Sequence, residues 1–156
     1  MPPKFRLQSI LDYHHSRVES MEIQLSVLLQ AKDEAVELMN SYKQKKENSI
    51  KELTEAQQGV LDLQFLLQAR VNIHALQKLI EKQKDDIRLI DQAINEKREE
   101  IIEAKQDEAI FDKLREKELH RYIKKLEENE RSAMSDIYIS QAYRQSLKDA
   151  EEEIYR

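Results

Sequence analysis

Two adjacent histidines near the start of the chain come closest to a metal site by type and spacing. On a helix, His15 and Glu19 would lie one turn apart, with His14 beside them. Structural and catalytic zinc sites use three or four protein ligands, and no second cluster in the sequence completes such a set. His14 also falls on the apolar stripe described below. The pattern therefore favours a packing role for His14, and we expect no metal and no cofactor.

The numerous carboxylates are the remaining candidates for chemistry, as general acids or bases. They are interspersed with basic residues at helical spacing, as in Glu96, Lys97 and Glu100, which is typical of solvated helix faces. A catalytic carboxylate needs a pocket that shifts its pKa, and a thin helical pair provides none. With a single glycine the chain also has no glycine-rich phosphate loop. We expect that the protein is not an enzyme.

The elements that carry these residues are predicted to be long helices. Among 156 residues there are one glycine and two prolines, while 37% are charged and 40% hydrophobic. Turns depend on such breaker residues, so the chain can reverse direction only once or twice. The formal net charge of −5 argues against nucleic acid as the main partner. The absence of cysteine, of a signal peptide and of a long apolar stretch suits a cytoplasmic location.

Two heptad stripes predict an antiparallel coiled coil. Steps of four and three residues connect mostly apolar positions in each stripe, and the phase slips between about 57 and 65, around Gly59. The first stripe contains Leu7, Leu11, His14, Val18, Met21, Leu25, Leu28, Lys32, Ala35, Met39, Tyr42, Lys46, Ser49, Leu53 and Ala56. The second contains Leu66, Ala69, Ile73, Leu76, Ile80, Gln83, Ile87, Ile90, Ile94, Lys97, Ile101, Ala104, Glu108 and Phe111.

The fold class predicted from these stripes is all-α: an antiparallel two-helix coiled-coil hairpin with a longer second helix. We expect one domain over residues 1–156, with helix 1 at about 5–56, a turn at about 57–60, helix 2 at about 61–131 and a weakly helical or frayed tail at 132–156. Gly59 would supply a left-handed or tight-turn backbone. A fold-back centred near residue 58 pairs Phe5 with Phe111. The alternative is one uninterrupted helix with a stutter in its heptads.

Beyond Phe111 the second helix overhangs the first. From Lys113 to Lys125 the sequence has six basic and two acidic residues, together with an apolar face from Leu114 to Leu126 that has no partner in the hairpin. A basic segment of this kind steers the chain toward an acidic surface.

Two motifs resemble the FliJ family of flagellar type III export. The opening Phe5-Arg6-Leu7-Gln8, followed by Ile10-Leu11-Asp12, is similar to the start of these proteins. The later Leu114-Arg115-Glu116-Lys117-Glu118, followed by Tyr122, is similar to their C-terminal helix motif. Length and hairpin architecture agree with the family.

The resemblance implies a stalk, similar to the central coiled coil of the rotary-ATPase gamma subunit. It would insert into the hexameric export ATPase FliI, contact the export gate FlhA, and escort export chaperones. The implied ATPase-binding residues are Phe5, Leu7, Gln8, Leu11, Arg115, Lys117, Arg121, Tyr122 and Lys124, and the implied gate-binding residues are Met39, Tyr42 and Phe65. Partners alone would hold the chain at the cytoplasmic face of the membrane, and on its own it would be a monomer.

Two alternatives remain open at this point. One is the equivalent stalk of an injectisome, a virulence-type secretion system. The other is a structural or chaperone coiled coil that associates with itself through the apolar face of Leu114 to Leu126.

Overall fold

A computed structural model describes residues 2–156, which form two long helices connected by one short segment. Helix α1 spans Gln8–Gln57 and helix α2 spans Leu63–Ile154, with 50 and 92 residues respectively. Within residues 2–156 there is no strand. The all-α class and the longer second helix are therefore confirmed. The contacts divide the chain into two compact units. One contains Met1–Tyr13 with Asp107–Arg156, and the other contains His14–Gln106.

The unit His14–Gln106 is an antiparallel helical hairpin whose core is the predicted seam. Every seam position in this unit is buried or half-buried. Ile80 and Ile94 are each 3% exposed, and Ala104 is 1% exposed. The other buried residues here are Val18, Ala35 and Ile101. Heptad spacing keeps the same side of each helix toward its partner over many turns, which explains why the periodicity located the core.

Polar residues in the seam and along its edge connect the two helices. Nζ of Lys32 lies 2.7 Å from Oδ1 of Asp91. Nε2 of Gln83 donates a 3.0 Å hydrogen bond to the backbone carbonyl of Ala35. Further contacts join Lys46 with Gln77, Lys97 with Gln24, and Lys105 with Glu22. Their order along the chain is antiparallel, since partners of earlier α1 residues lie later in α2.

The predicted fold-back register is wrong. A reversal about residue 58 would place residue 84 opposite Lys32 and residue 70 opposite Lys46. The observed partners, Asp91 and Gln77, lie later in α2. The connection occupies residues 58–62, so the reversal is centred near residue 60 and the facing positions move on average by about four residues, roughly one helical turn. The side chains of Lys32 and Lys46 are long enough to reach Asp91 and Gln77, which lie slightly beyond the facing positions.

The turn itself is built around Asp62 and not around Gly59. Oδ1 of Asp62 accepts hydrogen bonds from the backbone N–H groups of Gln64 and Phe65, at 3.1 and 3.4 Å. Asp62 thus caps α2, and a side-chain cap satisfies amide groups that have no partner in the first turn. Gly59 does not have a positive φ, and a Cβ atom built there would meet nothing within 4 Å. The left-handed alternative for Gly59 is therefore incorrect, although this glycine does lie in the connection between the helices.

The unit formed by the two chain ends holds the start of α1 against α2. The backbone N–H of Gln8 bonds to the carbonyl of Phe5 at 3.1 Å, so Phe5 precedes the helix. Leu11 is 4% exposed, while Phe5 and Phe111 are half-buried. The tail differs from the expectation of weak helix or fraying at 132–156, because α2 continues to Ile154. That segment lacks glycine and proline, the two residues that are least favourable in a helix interior.

Candidate partner-binding surfaces

The first candidate surface is a groove between the N-terminal segment and α2, which we call the root groove. It has a volume of about 690 Å³ and brings three predicted residues together, Phe5, Gln8 and Arg115. Its other lining residues are Pro3, Lys4, Glu116, Glu118 and Leu119. The structure thus joins the two sequence motifs, which lie more than 100 residues apart in the chain, at a single place.

Two of the predicted ATPase-binding residues, Leu7 and Leu11, do not line the root groove. Leu11 is 4% exposed and Leu7 is half-buried, and both occupy the heptad seam. A side chain that is almost completely buried within its own chain has little surface left for a partner. Their role in the structure is to hold the start of α1 against α2, which positions Phe5 at the groove.

Basic side chains extend the root groove along α2 into what we call the basic segment, residues 113–125. All six lysine and arginine side chains in it are exposed: Lys113, Arg115, Lys117, Arg121, Lys124 and Lys125. Nη2 of Arg115 lies 3.3 Å from Oδ1 of Asp112, one turn earlier. Lys117 and Arg121 line a shallow depression with Lys113, Glu116 and His120. Tyr122 is half-buried. The segment therefore offers a basic surface to an acidic partner.

The residues predicted for the gate contact do not form one patch. Met39 and Tyr42 are half-buried seam residues, whereas Phe65 is 44% exposed at the start of α2. Lys46, one turn after Tyr42, contacts Gln77. Phe65 precedes Gln77 by about 12 residues, so it lies roughly 18 Å nearer to the turn at about 1.5 Å per residue. Tyr42 and Phe65 are therefore separated along the hairpin.

Phe65 instead belongs to an exposed apolar surface at the turn, which we call the tip patch. Val60 is 99% exposed, Leu61 64% and Leu63 70%, and Leu67 is 55% exposed. Phe65 and Leu67 also line a shallow depression with Asp62, Gln64, Gln68 and Val71. Contiguous exposed apolar residues often mark an interaction site. The sequence itself indicated this exposed surface. A heptad seam needs only about two apolar residues in seven, and the run from Val60 to Leu67 contains more apolar residues than a seam can bury.

The histidines near the start of α1 do not assemble a metal site. Nε2 of His15 lies 3.1 Å from Oε1 of Glu19, and both side chains are more than half exposed. His14 lies in the seam and is half-buried. Within residues 2–156, no group of three or more histidine, aspartate or glutamate side chains is arranged to hold a metal ion. Neither helix of the described chain has an apolar stretch sufficient to span a bilayer.

Comparison with known families identifies the family of this chain. A family model described as "Flagellar FliJ protein" matches residues 3–148. The chain belongs to the FliJ family. No curated protein and no solved structure gives a significant match. The FliJ match includes the root groove, the basic segment and the tip patch, so all three surfaces lie in the part of the chain that the family model describes.

Membership in the FliJ family confirms the resemblance that the two motifs indicated. The start of the match at residue 3 includes the opening motif with Phe5 and Gln8, and its end at residue 148 lies beyond Tyr122. A FliJ chain is thus identified over both helices, including most of the part of α2 that follows the basic segment.

Proposed function

We propose that the chain is the stalk protein of the bacterial flagellar type III export apparatus, which binds the hexameric export ATPase at its root and the export gate at its tip. Membership in the FliJ family supports the flagellar assignment. The observation that carries the mode of action is the root groove, where Phe5 and Gln8 lie beside Arg115 at the start of an exposed basic segment.

The root suits insertion into a ring because it combines stiffness with charge. Leu11 fixes the start of α1 against α2 at 4% exposure, so this end is a packed pair of chain segments rather than a loose terminus. The six basic side chains beside it are exposed. Complementary charge accelerates association with an acidic surface and makes it sensitive to salt. Binding here would promote assembly of the ATPase hexamer and stimulate its activity.

The tip suits the gate contact because its apolar side chains are exposed on a capped, ordered turn. Aromatic and aliphatic side chains in the centre of an interface often contribute most of the binding energy. Phe65 is the gate-binding candidate best placed for this, with Val60, Leu61 and Leu63 beside it. Met39 and Tyr42, which lie in the seam, would act by holding the hairpin in shape or through their exposed edges.

The proposal includes a non-catalytic role, with no cofactor, no metal and no nucleic acid among its ligands. Partners would hold the chain at the cytoplasmic face of the membrane, and export chaperones would be further ligands. The flagellar description of the matching family favours this role over that of an injectisome stalk.

The experiment that tests the root is a charge reversal. A variant with Arg115, Lys117, Arg121 and Lys124 all changed to glutamate should lose stimulation of the export ATPase and should no longer promote hexamer formation. The measurements are phosphate release and the sedimentation of the ATPase, each at low and at physiological salt. Stimulation by the wild type should fall as salt rises. At 0.1 M salt, dissolved ions largely screen the attraction between exposed charges that are more than about 10 Å apart.

A matched control reverses four basic residues on the other compact unit, Lys43, Lys45, Lys51 and Arg70. These side chains are also exposed, and the net charge changes by the same amount. This control should stimulate the ATPase like the wild type. Equal activity of the root variant and the wild type at both salt concentrations would exclude the basic segment from ATPase binding.

A further inference from the structure

The end of α2 carries a largely apolar heptad stripe, and from residue 123 onward the rest of the described chain does not cover it. Every residue from 123 to 156 is exposed. Leu126 is 43% exposed, Leu147 48% and Ile154 79%. Heptad steps of three and four residues connect Leu119, Tyr122, Leu126, Asn129, Ala133, Asp136, Ser140, Tyr143, Leu147, Ala150 and Ile154. Helices of this kind gain most of their stability by burying such a stripe against another helix.

Residues Pro3 to Phe5 lie beside the start of this stripe. The root groove is lined by Pro3, Lys4 and Phe5 on one side and by Glu118 and Leu119 on the other. Every residue of the stripe beyond Tyr122 is exposed, so a second helix can pack there without displacing Pro3 to Phe5 from the root groove.

We propose that a second copy of this chain covers the stripe, with the two α2 ends packed antiparallel over residues 122–154. In this arrangement Tyr122 faces the partner's Ile154, and a two-fold axis passes near Tyr138. Ile137 and Ile139 on either side of that axis would meet the same residues of the partner subunit. Both are exposed in the single chain, at 52% and 65%. This inference goes beyond the proposed function and does not depend on it.

Side-chain size is complementary in this register. Leu126 faces the partner's Ala150, and Ala133 faces the partner's Tyr143, so each of these layers pairs a large side chain with a small one. Such alternation allows helices to interdigitate without voids or clashes. Asp136 faces the partner's Ser140, whose hydroxyl group can donate a hydrogen bond to the carboxylate.

Charge is complementary as well. The positions flanking the seam place Lys125 against the partner's Glu153, and Glu130 against the partner's Arg144. The two-fold axis repeats each pair. Among the described residues, none of these four side chains has an ion-pair partner within its own chain, so association would add pairs without breaking any. Flanking charges of this kind set orientation and register in coiled coils.

The competing arrangements bring like charges together. A parallel dimer in register would place Asp136 against the partner's Asp136 in the seam, where two carboxylates repel each other and lose hydration. An antiparallel dimer shifted by one heptad would place Glu118 against the partner's Glu153. The proposed register avoids both conflicts.

A charge swap in the full-length chain tests the proposal. We expect sedimentation velocity to show a monomer–dimer equilibrium for the wild type, in contrast to the monomer that the family resemblance implied. Lys125→Glu and Glu153→Lys should each weaken dimerisation about fivefold to tenfold, because two attractive pairs become two repulsive ones and a single exposed ion pair is weak. The double variant Lys125→Glu with Glu153→Lys restores both pairs with reversed signs and should dimerise within about twofold of the wild type.

Disulfide trapping provides a second measurement, since the chain contains no cysteine. When Lys125→Cys is mixed with Glu153→Cys under mild oxidation, the mixed disulfide should exceed both self-crosslinked products. Lys124→Cys, on the outer face of the helix, is the matched control and should crosslink poorly with Glu153→Cys. A wild-type chain that remains monomeric at several hundred micromolar overturns the proposal. So does a dimer that the double swap fails to restore, or that yields no excess of the mixed disulfide.

Discussion

Lys32 and Asp91 join the two helices of the hairpin through a 2.7 Å contact between Nζ and Oδ1. Lys32 occupies a seam position where heptads usually carry an apolar residue, and its side chain is still 38% exposed. A lysine at such a position keeps its stem against the seam and its ammonium group at the edge. An exposed ion pair of this kind adds about 1 kcal/mol or less to stability. Its main consequence is that it favours one register of the two helices over its neighbours.

The first prediction concerns this register. A zero-length carbodiimide reagent should form an amide between Lys32 and Asp91 within one chain, because the two groups are already in contact. Peptide mass spectrometry would identify the product. Lys32→Arg is the matched control, since the guanidinium group keeps the charge but does not yield this product. A product that joins Lys32 to Asp85 or Asp86 would contradict the structure and would favour a reversal about residue 58.

The second prediction concerns the seam. Ile94 is 3% exposed and Ile102 is 57% exposed on the same helix of the same unit. Ile94→Ala should lower the free energy of unfolding by about 2–4 kcal/mol, since it removes three buried carbons and leaves a cavity. Ile102→Ala is the matched control and should change it by no more than about 0.5 kcal/mol.

Urea titrations followed by circular dichroism would measure both variants at one protein concentration. If the two substitutions cost the same, the seam assignment is incorrect, because burial is the property in which these two isoleucines differ.

The sequence was sufficient for the seam but not for the register. Apolar periodicity depends only on which side of each helix is buried, so positions such as Ile80 and Ala104 were identified correctly. The register depends on how many residues the turn contains. Gly59 indicated a turn nearby, but the cap that ends it is the side chain of Asp62, two residues later than the predicted end of the turn.

The candidate surfaces were also predicted only in part. Family motifs identified Phe5, Gln8 and Arg115, which the structure brings to one groove. Periodicity could not show that the tip patch is exposed, because apolar residues at a reversal can either pack back on the hairpin or face solvent. Val60, at 99% exposure, faces solvent. Whether these side chains pack on the hairpin or face solvent depends on the backbone path of residues 58–62, which heptad spacing does not predict.

The third prediction separates the two aromatic residues proposed for the gate contact. Phe65→Ala should weaken binding to the soluble domain of the export gate by about tenfold or more, since truncation of an aromatic anchor often costs 2 kcal/mol or above. Stability should change little, because Phe65 is 44% exposed and lies at the first turn of α2. Tyr42→Ala should lower the melting temperature instead, because Tyr42 is a half-buried seam residue.

Val71→Ala is the matched control, because Val71 is an exposed apolar residue, 61% exposed, that lines the same depression as Phe65. This variant should bind the gate within about twofold of the wild type, as peripheral interface residues usually contribute little. Titration calorimetry on folded variants would give the affinities, and circular dichroism would give the melting temperatures. If Phe65→Ala binds like the wild type while Tyr42→Ala loses affinity without loss of stability, the gate contacts the side of the hairpin and not its tip.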